Sequence, residues 1–413
     1  VPACIMPLYR ISETITRQMN SFNVLIIDEA SQSNITALLA LARAKKVIVV
    51  GDEKQISPSV VGIARDKIEV FIEQHLKDLA NKNIMDLKTS LYDIAKATFD
   101  GRYNLMLKEH FRSLPEIIEF SNQNFYEGKI LPLRNVREEE RLKPTLENIY
   151  LAEGKIDSKG QVNKQEAEVI CEKVKELSQD PMYENKTFGV VSLKGKKQAE
   201  YIASEIDDYL TPRQQEKHNF LAGDAYTFQG DERDVMLLSM VVASNRRFRA
   251  LTRTSAHQRC NVAVSRARDQ VILVHSVQLE EELDNRDDMR YKLLDYIKNY
   301  QQFEQEKSPR QCETQLEADV YQWLQEQGYE VTIKEQVGNY VLDLVVEGTQ
   351  NRMAIECTGD QFYSPEQWWA DKRKQQQLTR VGWSIYNLQG ANFYLNAEQC
   401  QAQLQEKLES SLN

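Results

Sequence analysis

The sequence predicts an α/β protein with parallel sheets, followed by a smaller, separate α/β domain. Two short apolar runs, Val24–Ile27 and Val47–Val50, each lead into acidic or amide residues, a pattern that favours buried strands of a parallel sheet. Strand patterns then alternate with helical patterns as far as residue 276, which indicates crossover helices. All four tryptophans lie in the last quarter of the chain, so we expect a distinct C-terminal domain.

The residues that follow the first two predicted strands are candidates for ligand binding. Asp28 and Glu29 follow the first run, and Gly51, Asp52 and Gln55 follow the second. Ligands of doubly wound sheets bind at the carboxyl ends of the strands. An Asp-Glu pair at this place has the Walker B arrangement, in which the first carboxylate holds Mg²⁺ and the second orients or deprotonates water. On these residues alone, a solvated acidic turn is an equal alternative.

Further elements and four domains are predicted along the chain. We expect a helical connection at 37–44, an amphipathic helical region at 61–100, strands at 187–192, 234–242 and 270–276, and a helix at 198–210. Within the amphipathic region, the apolar positions at helical spacing are Ile68, Phe71, Ile72 and Leu76. The predicted domains are 1–100, 101–280, a charged helical linker at 281–312, and 313–413.

Composition limits the classes of function. The formal net charge of −10 argues against indiscriminate nucleic-acid binding, although a locally basic groove remains compatible with it. No run approaches about 20 apolar residues, so we expect no membrane span. The six cysteines and five histidines are dispersed and show no zinc-site spacing, which is typical of reduced thiols in the cytoplasm.

The phosphate-binding loop that a Walker B pair requires is missing from the sequence. No G-x-x-x-x-G-K-[ST] occurs, and Lys194–Lys197 is the nearest approach without being a match. We therefore expect the other half of the ATP site to come from an upstream part of the same parent protein or from a partner chain.

Five motifs in a defined order carry a family resemblance. They are Asp28-Glu29 with Gln55, Leu107–Ser113 with Pro115, Ser121–Tyr126, Phe228–Val235 and Arg259–Arg268. Taken singly, each has an ordinary explanation as a surface charge, a turn or a solvated helix face. Together they resemble superfamily 1 helicases, in the branch of RNA-surveillance and replication-associated helicases, over about residues 1–276. The resemblance implies the end of one RecA-like ATPase domain and the whole of a second.

The resemblance also implies roles in ATP hydrolysis. Asp28 would coordinate Mg²⁺, and Glu29 would act as general base on the attacking water. Guanidinium groups are always charged and bind phosphate oxygens bidentately, which suits Arg112 and Arg266 to stabilise the transition state at the γ-phosphate. The other nucleotide contacts would be Gln55 to the γ-phosphate, Phe111 to the adenine face, Gly230 through its backbone and Glu232 to the ribose. Because two domains contribute, hydrolysis would require their closure.

Two acidic residues stand out in the last domain. If its hairpin turns at Thr349-Gln350, Asp343 and Glu356 face each other with Cβ atoms about 5 Å apart and can share a divalent cation. Thr358 would project from the same face of its strand. A turn at Gly348-Thr349 would shift the register, so both alternatives remain open here.

This pattern resembles the PD-(D/E)XK restriction-endonuclease-like fold, in the subgroup similar to very-short-patch-repair endonucleases. The resemblance implies that Asp343 and Glu356 hold Mg²⁺ and that a third residue, often lysine, activates water. Thr358 stands at the usual lysine position, which puts cleavage in doubt. The residues proposed to complete the site are Glu317, Gln336, Asp360 and Lys372. The alternatives are a nucleic-acid-binding domain that has lost cleavage and a plain hairpin with two surface acids.

These observations predict the C-terminal portion of an ATP-dependent DNA helicase or translocase, coupled to a Mg²⁺-dependent endonuclease domain in DNA repair or defence. DNA is the expected partner, because the appended domain resembles DNA endonucleases, and RNA is the alternative. Two other hypotheses are a non-catalytic nucleic-acid-binding fragment and a surveillance-type RNA helicase.

Overall fold

The computed structural model describes residues 3–15, 18–34, 37–57, 70, 74–75, 89–99, 103–134, 136, 140–306, 311–348, 351–358 and 365–412. The chain divides into two compact units. The first comprises Val1–Leu107, Asn148–Arg266 and Val271–Asp295, and the second comprises Lys108–Glu147, Ala267–Gln270 and Tyr296–Asn413. Several predicted positions lie outside the described residues: Ile68, Phe71, Ile72, Leu76, Thr349, Gln350 and Asp360.

The first unit begins with a small parallel sheet. Its elements are α1 (Leu8–Thr14), β1 (Phe22–Ile27), α2 (Leu38–Leu41), β2 (Ala44–Val49) and α3 (Leu91–Thr98). Strands β1 and β2 pair in parallel, as predicted. The expectation that these strands are buried is wrong for one face, because Val24, Ile26 and Ile48 are 49%, 64% and 50% exposed. The other face is covered, since Ile27 packs with Ala37 and Leu91 from the adjoining helical segments.

The larger sheet of the first unit is a five-stranded layer in the order β5-β9-β8-β6-β7. Its strands are β5 (Leu146–Tyr150), β6 (Phe188–Ser192), β7 (Leu221–Asp224), β8 (Arg233–Ala243) and β9 (Ala267–Ser276). Strand β6 pairs in parallel with both β7 and β8. Every residue of β6 and β8 is buried, which explains why most of their residues are apolar.

Helices separate these strands along the chain. They are α5 (Lys164–Gln179), α6 (Lys196–Glu205), α7 (Pro212–Lys217) and α8 (Thr254–Ser265). The predicted helix at 198–210 is therefore present, with its last part in a 3-10 turn at Ile206–Asp208. The predicted helical linker contains α9 (Met289–Glu306).

The second unit contains α4 (Pro115–Phe125) and a short parallel pair, β3 (Glu109–His110) and β4 (Leu131–Pro132). It also contains a four-stranded sheet in the order β10-β11-β12-β13. Those strands are β10 (Val331–Val337), β11 (Tyr340–Glu347), β12 (Arg352–Thr358) and β13 (Ser384–Gln389). The first three strands are antiparallel neighbours, and β12 pairs in parallel with β13.

Four helices accompany this sheet: α10 (Gln315–Glu326), α11 (Pro365–Arg380), α12 (Gly390–Leu395) and α13 (Ala397–Leu412). Two apolar clusters hold the layers together. One joins α10 and α13 to the sheet through residues such as Val320, Leu344 and Leu404, and the other joins Leu378 of α11 to Leu342. Within the described residues, no helix combines the length and the apolar character that crossing a membrane requires.

Candidate functional site

The acidic pair after β1 occupies a tight turn. Glu29 has a left-handed φ of 52°, which is uncommon for a residue with a side chain. The Glu29 amide donates to Asp28 Oδ1 at 2.8 Å, and Gln32 Nε2 donates to Glu29 Oε2 at 2.6 Å. Both acids are exposed. The turn therefore presents two carboxylates to solvent at the carboxyl end of the strand.

The loop after β2 is tied to the same turn. The Asp52 amide donates to Ser31 Oγ at 3.3 Å, and Gln55 Nε2 donates to Asp52 Oδ2 at 3.3 Å. Gly51 allows the close approach, because a Cβ at this position would lie 2.9 Å from the Ser31 amide nitrogen and from the ring of Tyr92. The two strand ends thus form one connected polar surface.

The structure brings Gln55 and Arg266 together. Arg266 Nη2 donates to Gln55 Oε1 at 3.1 Å, and the Arg266 side chain is almost fully buried. These residues are 211 positions apart in sequence, so only packing can join them. Two of the three side chains predicted to meet the γ-phosphate are therefore in direct contact.

Two polar residues of α8 that the sequence analysis missed support this contact. Gln258 Nε2 donates to the Glu53 carbonyl and Asn261 Nδ2 donates to the Lys54 carbonyl, each at 3.0 Å. Both are buried. A Gln and an Asn three residues apart, beside the apolar residues Cys260 and Val262, are the signal that could have indicated a polar docking face.

Gly230 and Glu232 lie in the turn before β8. Gly230 has a φ of 81° with open space where a Cβ would stand, so the left-handed backbone is what requires glycine here. Arg233 Nη1 donates to Asp231 Oδ1 at 2.7 Å, and this bond lowers the pKa of Asp231. The Glu232 amide donates to the same oxygen. The assigned contacts of Gly230 and Glu232 to nucleotide stay predictions.

Phe111 and Arg112 belong to the second unit. Phe111 is 50% exposed, which leaves its ring available to a ligand. The Arg112 carbonyl accepts a hydrogen bond from Arg134 Nη1 at 2.7 Å, and Arg134 pairs with Asp269. The approach of Phe111 and Arg112 to a nucleotide held by the first unit remains a prediction.

The predicted hairpin register of the C-terminal domain is confirmed. Leu344 pairs with Ile355 and Glu347 with Arg352, the register that a turn at Thr349-Gln350 requires. One further step in this register places Asp343 opposite Glu356. Asp343 Oδ2 accepts a hydrogen bond from the Cys357 amide at 2.9 Å, which fixes the carboxylate against β12.

A lysine that the sequence analysis missed contacts Asp343 and two acids from the segment around the start of α10. Lys334 Nζ lies 2.8 Å from Asp343 Oδ1, 3.1 Å from Glu317 Oε2 and 3.0 Å from Glu313 Oε2. Burial opposes the charged form of Lys334, but these carboxylates outweigh burial and raise its pKa. Lys334 also has a left-handed φ of 51° within β10, and strain of this kind persists only where the surroundings enforce it.

Glu356 has a lysine of its own. Lys374 Nζ, from α11, donates to Glu356 Oε2 at 2.8 Å and to the Val341 carbonyl at 2.8 Å. Glu356 Oε1 is buried and has no hydrogen-bond partner among the described residues. Burial raises the pKa of Glu356 against the opposing charge of Lys374. The cluster of Glu317, Lys334, Asp343, Glu356 and Lys374, which we call the acidic centre, therefore offers one free carboxylate oxygen beside an ammonium group.

The four residues proposed to complete this centre have different outcomes. Glu317 belongs to it through Lys334, and Asp360 lies outside the described residues. Gln336 is exposed and donates to the Gly338 carbonyl, and Lys372 lies over the Trp368 ring, so neither makes a contact with the acids. Thr358 Oγ1 donates to the Leu388 carbonyl at 3.2 Å.

The described residues contain no group of three or more His, Cys, Asp or Glu side chains arranged to hold a metal ion. At the acidic centre, Asp343 and Glu356 are each paired with a lysine, Lys334 and Lys374 respectively. Glu356 Oε1 is the oxygen that fits a cation, since it is buried and otherwise unsatisfied.

Three family models match separate parts of the chain. Two describe AAA domains, AAA_11 over residues 8–62 and AAA_12 over residues 87–278. The third, REase_MTES_1575, is a restriction-endonuclease-like family and matches residues 316–408.

Curated relatives carry helicase names. An uncharacterised ATP-dependent helicase of Mycoplasma genitalium is 26% identical over 66% of this chain and 24% of its own length. A 5'-3' DNA helicase of Mus musculus is 27% identical over 62% of this chain and 13% of its own length. The DNA polymerase alpha-associated DNA helicase A of Saccharomyces cerevisiae is 24% identical over 64% of this chain and 40% of its own length. The chain thus spans less than half of each of these relatives.

A solved arterivirus helicase in complex with DNA aligns over 65% of this chain and 41% of its own, with 12% identity and a TM-score of 0.29. A TM-score this low gives no support to the family matches.

Proposed function

We propose that this chain, which carries the AAA domains of a superfamily 1 helicase and a restriction-endonuclease-like C-terminal domain, couples ATP hydrolysis to movement along nucleic acid. The observation that supports this proposal best is the hydrogen bond between Arg266 and Gln55. It joins a cation suited to phosphate binding to an amide at the carboxyl end of a parallel strand. A γ-phosphate that binds there would replace or reorganise this contact and so report its presence to α8.

The chain's own residues account for part of the ATP site. Asp28 would hold Mg²⁺, which would screen the phosphate charges, and Glu29 would take the proton of the attacking water. Both carboxylates are exposed at the end of β1, which agrees with this assignment. Arg266 and Arg112 would stabilise charge that develops on the γ-phosphate.

The phosphate-binding loop would come from an upstream part of the parent protein or from a partner chain. The exposed apolar face of the small sheet supports this part of the proposal, because Val24, Ile26 and Ile48 would be buried by further strands or helices.

The test is strand-stimulated ATP hydrolysis by the parent protein. Glu29→Gln should lower kcat by about 100-fold or more, since general-base catalysis contributes about 10²- to 10⁴-fold. Glu200→Gln, at an exposed position of α6, is the matched control and should leave kcat unchanged. Wild-type turnover by the Glu29→Gln variant would refute the assignment. Stimulation by RNA and not by DNA would favour the surveillance-type RNA helicase.

For the C-terminal domain we propose Mg²⁺-dependent cleavage of DNA, with DNA repair or defence in the cytoplasm as the setting. Asp343 and Glu356 would hold the cation, and the unsatisfied Glu356 Oε1 supports this. Asp343→Ala should abolish cleavage. If the intact protein cuts no DNA with Mg²⁺ or Mn²⁺, the alternative of a DNA-binding domain without cleavage replaces this proposal.

A further inference from the structure

We propose that Lys374, on helix α11, contacts the DNA phosphate at the acidic centre and supplies there the cation that strand β12 lacks. This inference rests on the proposed nuclease function and names the cation that the threonine at position 358 cannot supply. Thr358 Oγ1 is directed to the Leu388 carbonyl, at 3.2 Å.

The position of Lys374 is defined by both of its partners. Its ammonium group lies 2.8 Å from Glu356 Oε2 on β12 and 2.8 Å from the Val341 carbonyl on β11. The side chain is 17% exposed, so the charge is partly shielded but not sealed from solvent. An ammonium group has three donors, and these two bonds leave one for a ligand.

Lys334 cannot take this role, although it lies in the same centre. All three of its donors are directed at carboxylates, those of Asp343, Glu317 and Glu313. It neutralises the acids and has no donor left for a phosphate. The two lysines therefore differ in function: Lys334 compensates buried charge, and Lys374 stands beside a free carboxylate oxygen.

The helix geometry explains why this lysine faces inward. Leu378 lies one turn after Lys374 on the same side of α11 and is fully buried in the sheet. Trp368, Trp369 and Lys372 are exposed on the other side. Packing of Leu378 thus holds Lys374 over the sheet, while the neighbouring Lys372 remains in solvent.

The chemistry requires only hydrogen bonding from Lys374. In phosphodiester hydrolysis, a water oxygen bonds to phosphorus and the ester P–O bond breaks, while the leaving oxygen gains a proton and the water loses one. Lys374 stays protonated and donates to a non-bridging phosphate oxygen, where negative charge increases in the transition state. Such a charge-assisted bond strengthens both binding and turnover.

The test measures duplex binding and cleavage with the full chain. Binding is measured by fluorescence anisotropy on a blunt duplex in EDTA, and cleavage is measured with Mg²⁺. Lys374→Met should weaken binding about 10-fold or more and lower the cleavage rate by a larger factor. Lys374→Arg should restore most of the binding. Lys407→Met, at an exposed position of α13, is the control and should match the wild type.

Two further variants separate contact from folding. Lys374→Met combined with Glu356→Gln removes both charges, so it should fold like the wild type and still bind the duplex weakly. Lys374→Met combined with Thr358→Lys returns an ammonium group to the strand and should recover cleavage in part. A merely structural lysine would not be rescued in this way.

The outcomes distinguish the two proposals. If the wild type cleaves and Lys374→Met cleaves and binds equally well, the assignment of Lys374 is wrong and the nuclease proposal stands. If the wild type never cleaves but its duplex binding depends on Lys374, the phosphate contact stands and the nuclease proposal falls. Duplex binding by the wild type that no Lys374 variant changes, without cleavage, overturns both.

Discussion

Glu166 is a buried acid whose carboxylate accepts hydrogen bonds from strand β8. Its carboxylate accepts hydrogen bonds from Ser239 Oγ at 2.7 Å, the Val241 amide at 2.9 Å, Asn163 Nδ2 at 3.0 Å and Ser276 Oγ at 3.2 Å. Val241 has a left-handed φ of 57° inside β8, a rare state for a β-branched residue. The bond from its amide to Glu166 compensates for part of that strain.

This residue predicts a pH dependence of stability. Burial raises the pKa of Glu166 from an ordinary value of 4.5 to about 7, despite the hydrogen bonds that favour the anion. Between pH 4.5 and 7 the folded state therefore holds a proton that the unfolded state has released. The free energy of unfolding should fall as pH rises through this window, by about 3 kcal/mol in total.

The measurement is urea unfolding followed by circular dichroism at pH 5 and pH 8, for the wild type and for Glu166→Gln. The glutamine of the variant carries no titrating carboxyl group. Between the two pH values the variant should therefore lose about 3 kcal/mol less stability than the wild type. Equal losses in both proteins would show that Glu166 is ionised throughout.

Lys334 predicts a large effect on stability. Its removal leaves the side chains of Glu317 and Asp343, which are 3% and 18% exposed, without their counter-charge. Lys334→Met should lower the free energy of unfolding by about 3–5 kcal/mol, the usual result when one partner of a buried ion pair is deleted. A second change, Glu317→Gln, should recover part of the loss, and the double-mutant cycle measures it. If Lys334→Met has the same urea midpoint of unfolding as the wild type, this prediction is wrong.

At the scale of elements, α8 is the part that connects the loop after β2 to the large sheet. Its residues Gln258 and Asn261 hold the loop carbonyls after β2, and Arg266 follows its last turn. Ile56 of the same loop packs with Val262 of this helix. The helix and the loop therefore form one packed group, which is why Gln55 meets Arg266.

Asn261→Ala should disturb that group. The change leaves the Lys54 carbonyl without its donor, which costs about 1–3 kcal/mol when the site is buried. We expect a lower free energy of unfolding together with reduced ATP turnover in the parent protein. Gln405→Ala, at an exposed position of α13, is a comparison that should change stability by less than about 0.5 kcal/mol. An Asn261→Ala variant with unchanged stability and turnover would show that the loop holds its position without α8.

The small sheet gives a prediction for the whole molecule. The apolar face of β1 and β2 is exposed, as the proposed further part of the ATPase domain requires, and the chain spans at most 40% of the three helicases compared above. A protein extended upstream to include a G-x-x-x-x-G-K-[ST] segment should bind ATP at least 10-fold more tightly than this chain alone. It should also unfold at higher urea concentration, because burial of apolar area stabilises it.

Isothermal titration with a non-hydrolysable ATP analogue checks this prediction, and a lysine-to-alanine change in the added segment is its control. Equal affinity with and without the extension would show that the phosphate-binding loop comes from elsewhere.

Much of the architecture could be predicted from local sequence patterns. The parallel pairing of β1 and β2, the strands β6, β8 and β9, and the hairpin register that sets Asp343 opposite Glu356 follow from apolar spacing and turn position. The burial of β1 could not be predicted in this way. An apolar run looks the same whether or not a second layer covers it.

The acidic centre marks the limit of such prediction. Lys334 faces Asp343 across a hairpin that turns at Gly338-Asn339, so its place in the centre could have been found from the register. Lys374 could not, because it comes from a helix beyond both strands and nothing in its local sequence separates it from Lys372.

By itself, the sequence determined the helicase and endonuclease-like domains, the order of the motifs and the acids at the strand ends, because these depend on residue type and short-range spacing. Only the tertiary structure decided which side chains meet. Arg266 contacts Gln55, 211 positions away in the sequence. Lys334 pairs with Asp343 and Lys374 pairs with Glu356, the two acids predicted to share a cation. The physical reason is that periodicity specifies the face of an element, whereas contacts between elements depend on how their layers pack.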